Sequence, residues 1–442
     1  MKIQLSEHFT YKKLLRFVFP SIIMMIFTSI YGVVDGLFVS NYVGKTPFAA
    51  VNLIYPFLMV LGALGFVMGT GGSAIVAKTL GEGKKEKANQ YFSMLVYVTL
   101  AAGVVIMLLG QLFLPTIARL LGAEGEMLNQ CLKYGRIILC TLPAFMLQNV
   151  FQSFFVTAER PQLGLFVTVG AGVTNMVLDF VFIAIFGWGI AGAAAATAAS
   201  ELIGGCVPLL YFGRKNSSVL HLTKPAFDGR VLLKTCTNGS SELMSNLSMS
   251  VVNMLYNWQL LKIAGENGVA AYGVIMYVNF IFISMFLGYS IGSAPIVGYH
   301  YGADNHSELR NVFRKSIRIV AAGGCILMLL AFVLATPLAG IFVGYDAELM
   351  QMTCHGFRIY ALSFLICGFN IYGSAFFTAL NNGLVSALIS FLRTLVFQLA
   401  VVLILPIFLG INGIWLAIVV VEALALVVTT QFLIRKRKVY HY

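Results

Sequence analysis

Two aspartates lie within apolar segments that are long enough to cross a lipid bilayer, Asp35 in the first such segment and Asp179 in the fifth. A charged carboxylate at the centre of a bilayer costs about 2.5–3.5 kcal/mol on insertion scales, so acids at this depth usually serve a function. Two carboxylates in one pocket of low dielectric cannot both ionise cheaply, so at least one holds a proton near neutral pH. The two acids therefore predict a site for protons or small cations.

Polar residues on neighbouring segments complete the predicted site. Asn175 lies four residues before Asp179 and therefore shares a helix face with it. Thr197 lies in the sixth segment, and at ~1.5 Å per residue it lies as far below the turn at 186–189 as Asp179 does, roughly 12 Å. Asp35 lies at a similar depth below the outer end of the first segment. We expect these four side chains to converge in the N-terminal half of the protein.

The elements that position these residues are predicted to be membrane-spanning helices. Of the 442 residues, 59% are apolar and only 10% are charged, and the mean hydropathy of +0.88 lies outside the range of soluble domains. A bilayer crossing needs about 20 apolar residues. Twelve segments qualify: 14–43, 50–78, 92–115, 131–157, 163–186, 190–212, 238–262, 270–299, 313–340, 353–379, 384–409 and 412–434.

The basic residues predict how the chain is oriented in the membrane. Most Lys and Arg lie in the connections on one side of the predicted helices, which places both termini in the cytoplasm. The net charge of +12 therefore belongs to loops of a multi-pass protein of the cell membrane and does not indicate nucleic-acid binding.

The sequence also repeats itself at an offset near 221 residues. Gly189-Ile190-Ala191-Gly192 with Glu201 matches Gly410-Ile411-Asn412-Gly413 with Glu422, in line with further matches through both halves. We predict an all-α integral membrane protein with one six-helix lobe in 1–213, a cytoplasmic linker in 214–229 and a second six-helix lobe in 230–442. Because each repeat has an even number of helices, a pseudo-two-fold axis along the membrane normal relates the two bundles, and a central cleft between them would allow alternating access.

The two halves differ in their membrane acids. Val34-Asp35 aligns with Val252-Asn253, and Asp179 falls opposite an apolar stretch. Chemistry that depends on these carboxylates is therefore predicted in the N-terminal half. Pro20, fifteen residues before Asp35, removes a backbone hydrogen bond from the first helix and is a candidate hinge.

These features resemble the multidrug and toxic compound extrusion (MATE) family, most of all its DinF-like branch. The resemblance covers nearly the whole chain, including the six-plus-six repeat and Gly81-Glu82-Gly83 after the second helix. It implies that Pro20 bends the first helix. It also implies that five residues couple H⁺, or in some members Na⁺, to export: Tyr31, Asp35, Asn175, Asp179 and Thr197. Another branch uses acids of the seventh and tenth helices, but here the tenth has none and Glu242 lies near the cytoplasmic end of the seventh.

Three further charges lie within the predicted helices. Glu201 and Glu422 occupy equivalent repeat positions, and Arg393 on the eleventh helix is placed to pair with Glu422. We interpret all three as structural buried charges, because symmetric placement favours architecture over coupling, and leave the particular role of Glu201 open.

The substrate cleft is less well defined by the sequence. Met and aromatic side chains suit flat, varied organic cations. The candidates for the cleft are Tyr256, Asn257, Met276, Asn279, Met285 and Asn370.

The favoured function is export of amphipathic organic cations by H⁺-coupled antiport, with Na⁺ as the alternative coupling ion. The alternative is a flippase for a lipid-linked oligosaccharide or lipid precursor, which would prefer a cleft rich in Lys and Arg. An integral membrane enzyme is disfavoured because no cluster of catalytic residues or metal ligands is visible, and the cysteines are scattered singly. We expect no cofactor beyond the coupling ion, no metal other than Na⁺ at the aspartate site, and a monomer in the lipid bilayer.

Overall fold

The computed structural model describes residues 3–442, and among them the regular structure is entirely helical. The helices are α1 Tyr11–Phe38, α2 Lys45–Gly81, α3 Lys85–Leu120, α4 Gly125–Thr157, α5 Pro161–Asp179, α6 Gly189–Gly213, α7 Gly229–Gly302, α8 His306–Val343, α9 Ala347–Ala361, α10 Phe364–Ala379, α11 Gly383–Phe391, α12 Phe397–Leu409 and α13 Ile411–Tyr440. Three π-helical segments follow α1, α5 and α11: Val39–Val43, Phe180–Ile185 and Leu392–Val396. We call α1–α6 the N-lobe and α7–α13 the C-lobe.

These described helices provide the twelve predicted crossings. Ten spans, one of them α11–α12 taken together, are long and apolar enough to cross a bilayer, and α9 and α10 form one further crossing bent by 50°. The 74-residue α7 supplies two crossings, because its backbone leaves helical geometry at Gly265, with φ 64° and ψ −152°. The helices extend beyond the predicted apolar segments because their polar ends project from the hydrocarbon layer.

Two predicted segments are interrupted where the sequence gives no sign of it. Segment 353–379 bends between α9 and α10, and segment 384–409 contains the π-helical stretch Leu392–Val396. Neither interruption contains Gly or Pro, the residues that usually announce a break.

Both ends of the chain lie on one face of the bundle. The Leu5 N–H donates to Glu159 Oε1 of the N-lobe at 2.8 Å, and the Phe9 N–H donates to Glu308 Oε1 of the C-lobe at 2.8 Å. At the other end of the chain, the Tyr442 ring packs against a ring of α8. The N-terminal segment therefore bridges the two lobes on this face, which we call the terminal face.

The lobes pack closely where α2 crosses α7. Gly71 lies against the backbone of Thr235, and Gly81 lies against the backbone of Tyr299. At either glycine a Cβ atom would overlap the facing carbonyl oxygen. Within ten residues α2 touches both ends of α7, so the chain must reverse its direction inside α7. The contact between the lobes therefore lies near the terminal face. We call this contact the seam.

The first helix also belongs to the seam. Gly288 of α7 lies against Ile22, and Gly292 lies against Val18. Pro20, which has no backbone N–H to donate, stands between these two contacts inside α1. The bend-prone part of α1 is therefore the part that touches the C-lobe.

Gly71→Ala is expected to loosen the seam. Its Cβ would meet the backbone of Thr235 and lie 2.7 Å from the Gly239 nitrogen, and overpacking of this kind typically costs about 1–3 kcal/mol. Thermal unfolding of the purified protein should show a lower midpoint for this variant. The matched control is Gly170→Ala, where a Cβ atom meets nothing within 4 Å; equal midpoints for the two variants would contradict the close packing.

Candidate functional site

The centre of the N-lobe brings together the two membrane aspartates. Asp35 of α1 and Asp179, the last residue of α5, place their carboxyl groups within hydrogen-bonding range of each other. Asp179 is fully buried and Asp35 is partly buried. Asp35 Oδ1 and both side-chain oxygens of Asp179 receive no hydrogen bond from a donor group among the described residues. Two facing carboxyl groups can form a hydrogen bond only if one carries a proton, so this arrangement requires a shared proton or a bound cation.

The other predicted site residues lie beside this pair. The Asn175 Nδ2 atom donates to Thr197 Oγ1 at 3.4 Å, which joins α5 to α6. Asn175 is 2% exposed, and its Oδ1 atom also lacks a donor within the described chain. Tyr31, one turn before Asp35, lies close to it on α1. We call Asp35, Asn175, Asp179 and Thr197 the N-lobe cluster.

The donor set of the N-lobe cluster fits a hard cation. Carboxylate, amide and hydroxyl oxygens are the ligands that hard ions prefer, and four of the oxygens here lack donors. No group of three His, Cys, Asp or Glu residues suited to a metal ion occurs in residues 3–442. The cluster therefore suits a proton or a monovalent ion such as Na⁺, with the two carboxylates supplying the charge.

Local backbone geometry places the two aspartates. The α-helical part of α5 ends at Asp179, where Phe180–Ile185 begins, and α1 changes to Val39–Val43 one turn after Asp35. Single π-helical turns of this kind are frequent at functional sites. The sequence carries no signal for them, because a change from i→i−4 to i→i−5 pairing needs no special residue.

A second buried acid lies in the same lobe. Glu201 of α6 is 8% exposed and accepts one hydrogen bond, from Thr141 Oγ1 of α4, at 2.6 Å. The phenol of Tyr31 lies close to both Glu201 and Asp35 and within hydrogen-bonding range of Gln148. Glu201 is therefore a neighbour of the N-lobe cluster.

The equivalent acid of the C-lobe has a cationic partner. Glu422 of α13 is 2% exposed and forms an ion pair with Arg393, with Nη2 to Oε1 at 2.7 Å and Nε to Oε1 and Oε2 at 2.9 and 3.0 Å. Asn370 Nδ2 donates to Glu422 Oε2 at 2.7 Å, and Asn370 Oδ1 accepts from Thr429 Oγ1 at 3.0 Å. The pair is fully neutralised and satisfied, as expected of a structural ion pair.

A cavity of about 380 Å³ lies between the lobes. Tyr256, Met276 and Asn279, three of the predicted cleft residues, line it. Its walls otherwise combine aromatic, methionine and amide side chains, which include Phe66, Tyr272, Tyr360, Met25, Met249 and Gln398. The volume and lining suit one drug-sized amphipathic molecule.

Three predicted cleft residues lie elsewhere. Asn257 lines a shallow groove on the protein surface with Trp258, because its face of α7 points away from the lobe interface. Asn370 is buried in its bonds to Glu422, and Met285 packs against Gly323 of α8 in the C-lobe. Helix-face orientation decides these positions, and a single apolar segment does not reveal it.

Glu242 is a cavity residue that the sequence left without a role. It lies in α7, lines the cavity, and its carboxylate has no hydrogen-bond or ion-pair partner among the described side chains. The other carboxylate of the cavity wall belongs to Glu422, which Arg393 neutralises. The polar run Ser240-Ser241-Glu242 at the start of the predicted helix was the sequence signal for this position. The same run is equally typical of a helix end that lies outside the membrane.

Comparison with known proteins places this arrangement in a family. The MatE family model matches residues 20–181 and again 243–404, once in each lobe. The multidrug export protein MepA of Staphylococcus saprophyticus is 24% identical over 92% of this chain and 88% of its own length, and that of Staphylococcus aureus MRSA252 is 22% identical over 94% and 91%.

A solved structure shows the same architecture. The outward-facing conformation of a multidrug resistance MATE family transporter of the MOP superfamily is 25% identical, with a TM-score of 0.93 over 99% of this chain and 98% of that one. Two matched segments, one per lobe, also account for the repeat seen in the sequence. The chain is thus a multi-pass membrane protein of the MatE family, the multidrug and toxic compound extrusion transporters.

Proposed function

We propose that this transporter exports amphipathic organic cations in exchange for H⁺, with Na⁺ as the alternative coupling ion. The observation that carries the proposal is the facing pair of Asp35 and Asp179, whose buried oxygens lack donors. A proton that moves inward across the membrane releases about 2.3 kcal/mol for each 100 mV of membrane potential. Export would draw on that energy, and the relatives named as multidrug export proteins support the transport direction.

Protonation at the cluster would act on the shape of α1. A shared proton holds Asp35 of α1 against Asp179 of α5, and its loss leaves two carboxylates that repel each other. Pro20 lies between Val18 and Ile22, the residues of α1 that touch Gly292 and Gly288. Bending at Pro20 would therefore carry a change of charge in the N-lobe to the seam, which must open for alternating access.

The direction of transport fits a cytoplasmic terminal face. The seam closes the lobes near that face, and the similar solved structure is described as outward-facing. With both termini in the cytoplasm, the state seen here would expose the cavity to the outside and would be the state that releases the drug and takes up the coupling ion.

The charge of the cavity favours a cationic substrate over a lipid pyrophosphate. Among the described residues that line it, Arg393 is neutralised by Glu422, and Glu242 has no cationic partner. When Glu242 is ionised, it would give the cavity a net negative charge, which would repel a pyrophosphate and attract an ammonium or a delocalised aromatic cation. The flippase alternative is therefore the weaker proposal.

Asp35→Asn and Asp179→Asn are each expected to abolish coupling. In proteoliposomes that contain the purified transporter, a pH gradient of one unit is worth a factor of about ten in substrate gradient per coupled proton, and both variants should lose this gain. The measurement is ethidium flux together with proton flux, with and without Na⁺. Glu86→Gln, which removes an exposed acid of α3, is the control.

Normal coupling in both aspartate variants would contradict the role of the N-lobe cluster. Ethidium export driven by a Na⁺ gradient but not by a pH gradient would identify Na⁺ as the coupling ion. Movement of a lipid-linked sugar precursor with no ethidium export would favour the flippase.

Glu242→Gln is expected to weaken binding of cationic substrates selectively. The loss of a buried charge partner typically costs about 2 kcal/mol or more, so the half-saturating concentration of ethidium should rise about thirtyfold or more. A neutral hydrophobic dye should be affected far less. The matched control is Glu266→Gln, which alters an exposed acid of the same helix. Equal losses for the cationic and the neutral dye would show a packing defect in place of charge recognition.

A further inference from the structure

Glu201 and Glu422 occupy the same position of the repeat but have opposite electrostatic surroundings. Glu422 has Arg393 as an ion-pair partner and Asn370 as a donor. Glu201 has one donor, Thr141, and no Lys, Arg or His lies within ion-pair distance of it in residues 3–442. A buried carboxylate without a cationic partner is costly in its charged form. The same repeat position therefore holds an acid in a neutral ion pair in the C-lobe and an acid without a cationic partner in the N-lobe.

The missing cation is excluded by packing. Gly172 lies 221 residues before Arg393, the offset that relates Glu201 to Glu422. A Cβ atom on Gly172 would lie 2.6 Å from the Phe27 ring and 2.8 Å from the Tyr31 ring. An arginine cannot occupy this position without displacing both rings, so the N-lobe places aromatic side chains where the C-lobe has a guanidinium.

The asparagine that bonds Glu422 in the C-lobe has a repeat counterpart that makes a different contact in the N-lobe. Asn149 lies 221 residues before Asn370. Its Nδ2 atom donates to the carbonyl of Phe145 at 3.0 Å, and its side chain lines the central cavity. Neither repeat partner of Glu422 therefore has a counterpart that serves Glu201.

Glu201 belongs to the same electrostatic group as the aspartates. The phenol of Tyr134 on α4 lies close enough to interact with Asp35, Asp179 and Glu201, and Tyr55 of α2 lies near Asp35 and Glu201. Tyr31 lies close to both Asp35 and Glu201. The titratable and hydroxyl groups near Glu201 on α1, α2 and α4 are thus the phenols of Tyr31, Tyr55 and Tyr134 and the hydroxyl of Thr141.

Unpartnered oxygens show that the acids near Glu201 are suited to binding a cation. Asp179 is fully buried with both oxygens unpartnered, and the buried Asn175 Oδ1 also lacks a donor. Carboxylates in one lobe without a basic partner cannot all be ionised, so the lobe must take up at least one positive charge, and Glu201 offers a carboxylate for a further one beside the charge that the aspartate pair shares.

We propose that Glu201 is a second proton-binding site of the N-lobe, distinct from the Asp35–Asp179 pair and linked to it through Tyr31. The transporter then exchanges two protons for one monovalent organic cation. A proton fits Glu201 better than Na⁺, because one carboxylate and one hydroxyl offer too few oxygens for a metal ion. This inference rests on the proposed proton-coupled export.

Release and uptake of this second proton would depend on Thr141. Its hydroxyl donates to Glu201 Oε2, and a donor favours the ionised form of a carboxylate. Thr141 is therefore a positioning residue that sets the pH at which Glu201 exchanges its proton.

The test is the number of protons moved per ethidium by the full-length protein in proteoliposomes. Exchange of two protons for one monovalent cation moves one net charge, so a membrane potential of 100 mV should change the ethidium gradient about 50-fold. In Glu201→Gln one proton is lost, exchange becomes electroneutral, and the potential should have no effect. Glu201→Asp, which keeps a protonatable group, should retain the voltage dependence.

A second variant protects the test against a folding defect. Thr141→Val leaves Glu201 in place but removes its donor, and should move the pH profile of transport to higher pH with the proton count unchanged. An unchanged proton count and voltage dependence in Glu201→Gln would overturn the inference. Wild-type protein that moves ethidium with Na⁺ alone would also overturn the inference, whereas wild-type protein that moves ethidium with neither protons nor Na⁺ would overturn the proposed function, so the two failures are distinguishable.

Discussion

The facing carboxyl groups of Asp35 and Asp179 set the main physical constraint on this protein. They lie in a lobe in which the described residues place no basic partner beside them, and the Asp179 oxygens receive no donor. Such a pair is tolerable in a membrane only when it holds a proton or a cation. The N-lobe therefore depends on a proton or a cation for the charge balance of this pair.

The C-lobe balances its buried acid with a basic side chain. Arg393 and Glu422 form a buried ion pair with three short contacts, and Asn370 with Thr429 completes its hydrogen bonds. In a satisfied pair of this kind neither buried charge is left without a partner. The two six-helix units thus differ at this position of the repeat, because the acid has a cationic partner in the C-lobe and none in the N-lobe.

The geometry of α1 connects charge to shape. Asp35 lies in its second half, whereas Val18 and Ile22, on either side of Pro20, touch the C-lobe through glycines that allow backbones to approach closely. The seam consists of glycine and backbone contacts, and close-packed surfaces of this kind either fit together or separate. Intermediate placements of the two lobes are therefore disfavoured. A small change in the direction of α1 can therefore favour one of two discrete lobe arrangements.

The sequence by itself determined the membrane class, the twelve crossings and the repeat, and it predicted that the four residues of the N-lobe cluster lie together, because hydropathy, helical rise and repeat register are properties of the chain alone. It could not determine that Asn257 faces outward, that Glu242 faces the cavity, or that α5 changes to π-helix after Asp179. Those facts depend on how helices rotate against one another. The isolation of Glu201 also required the tertiary structure, because only packing shows that the Phe27 and Tyr31 rings fill the space of an arginine.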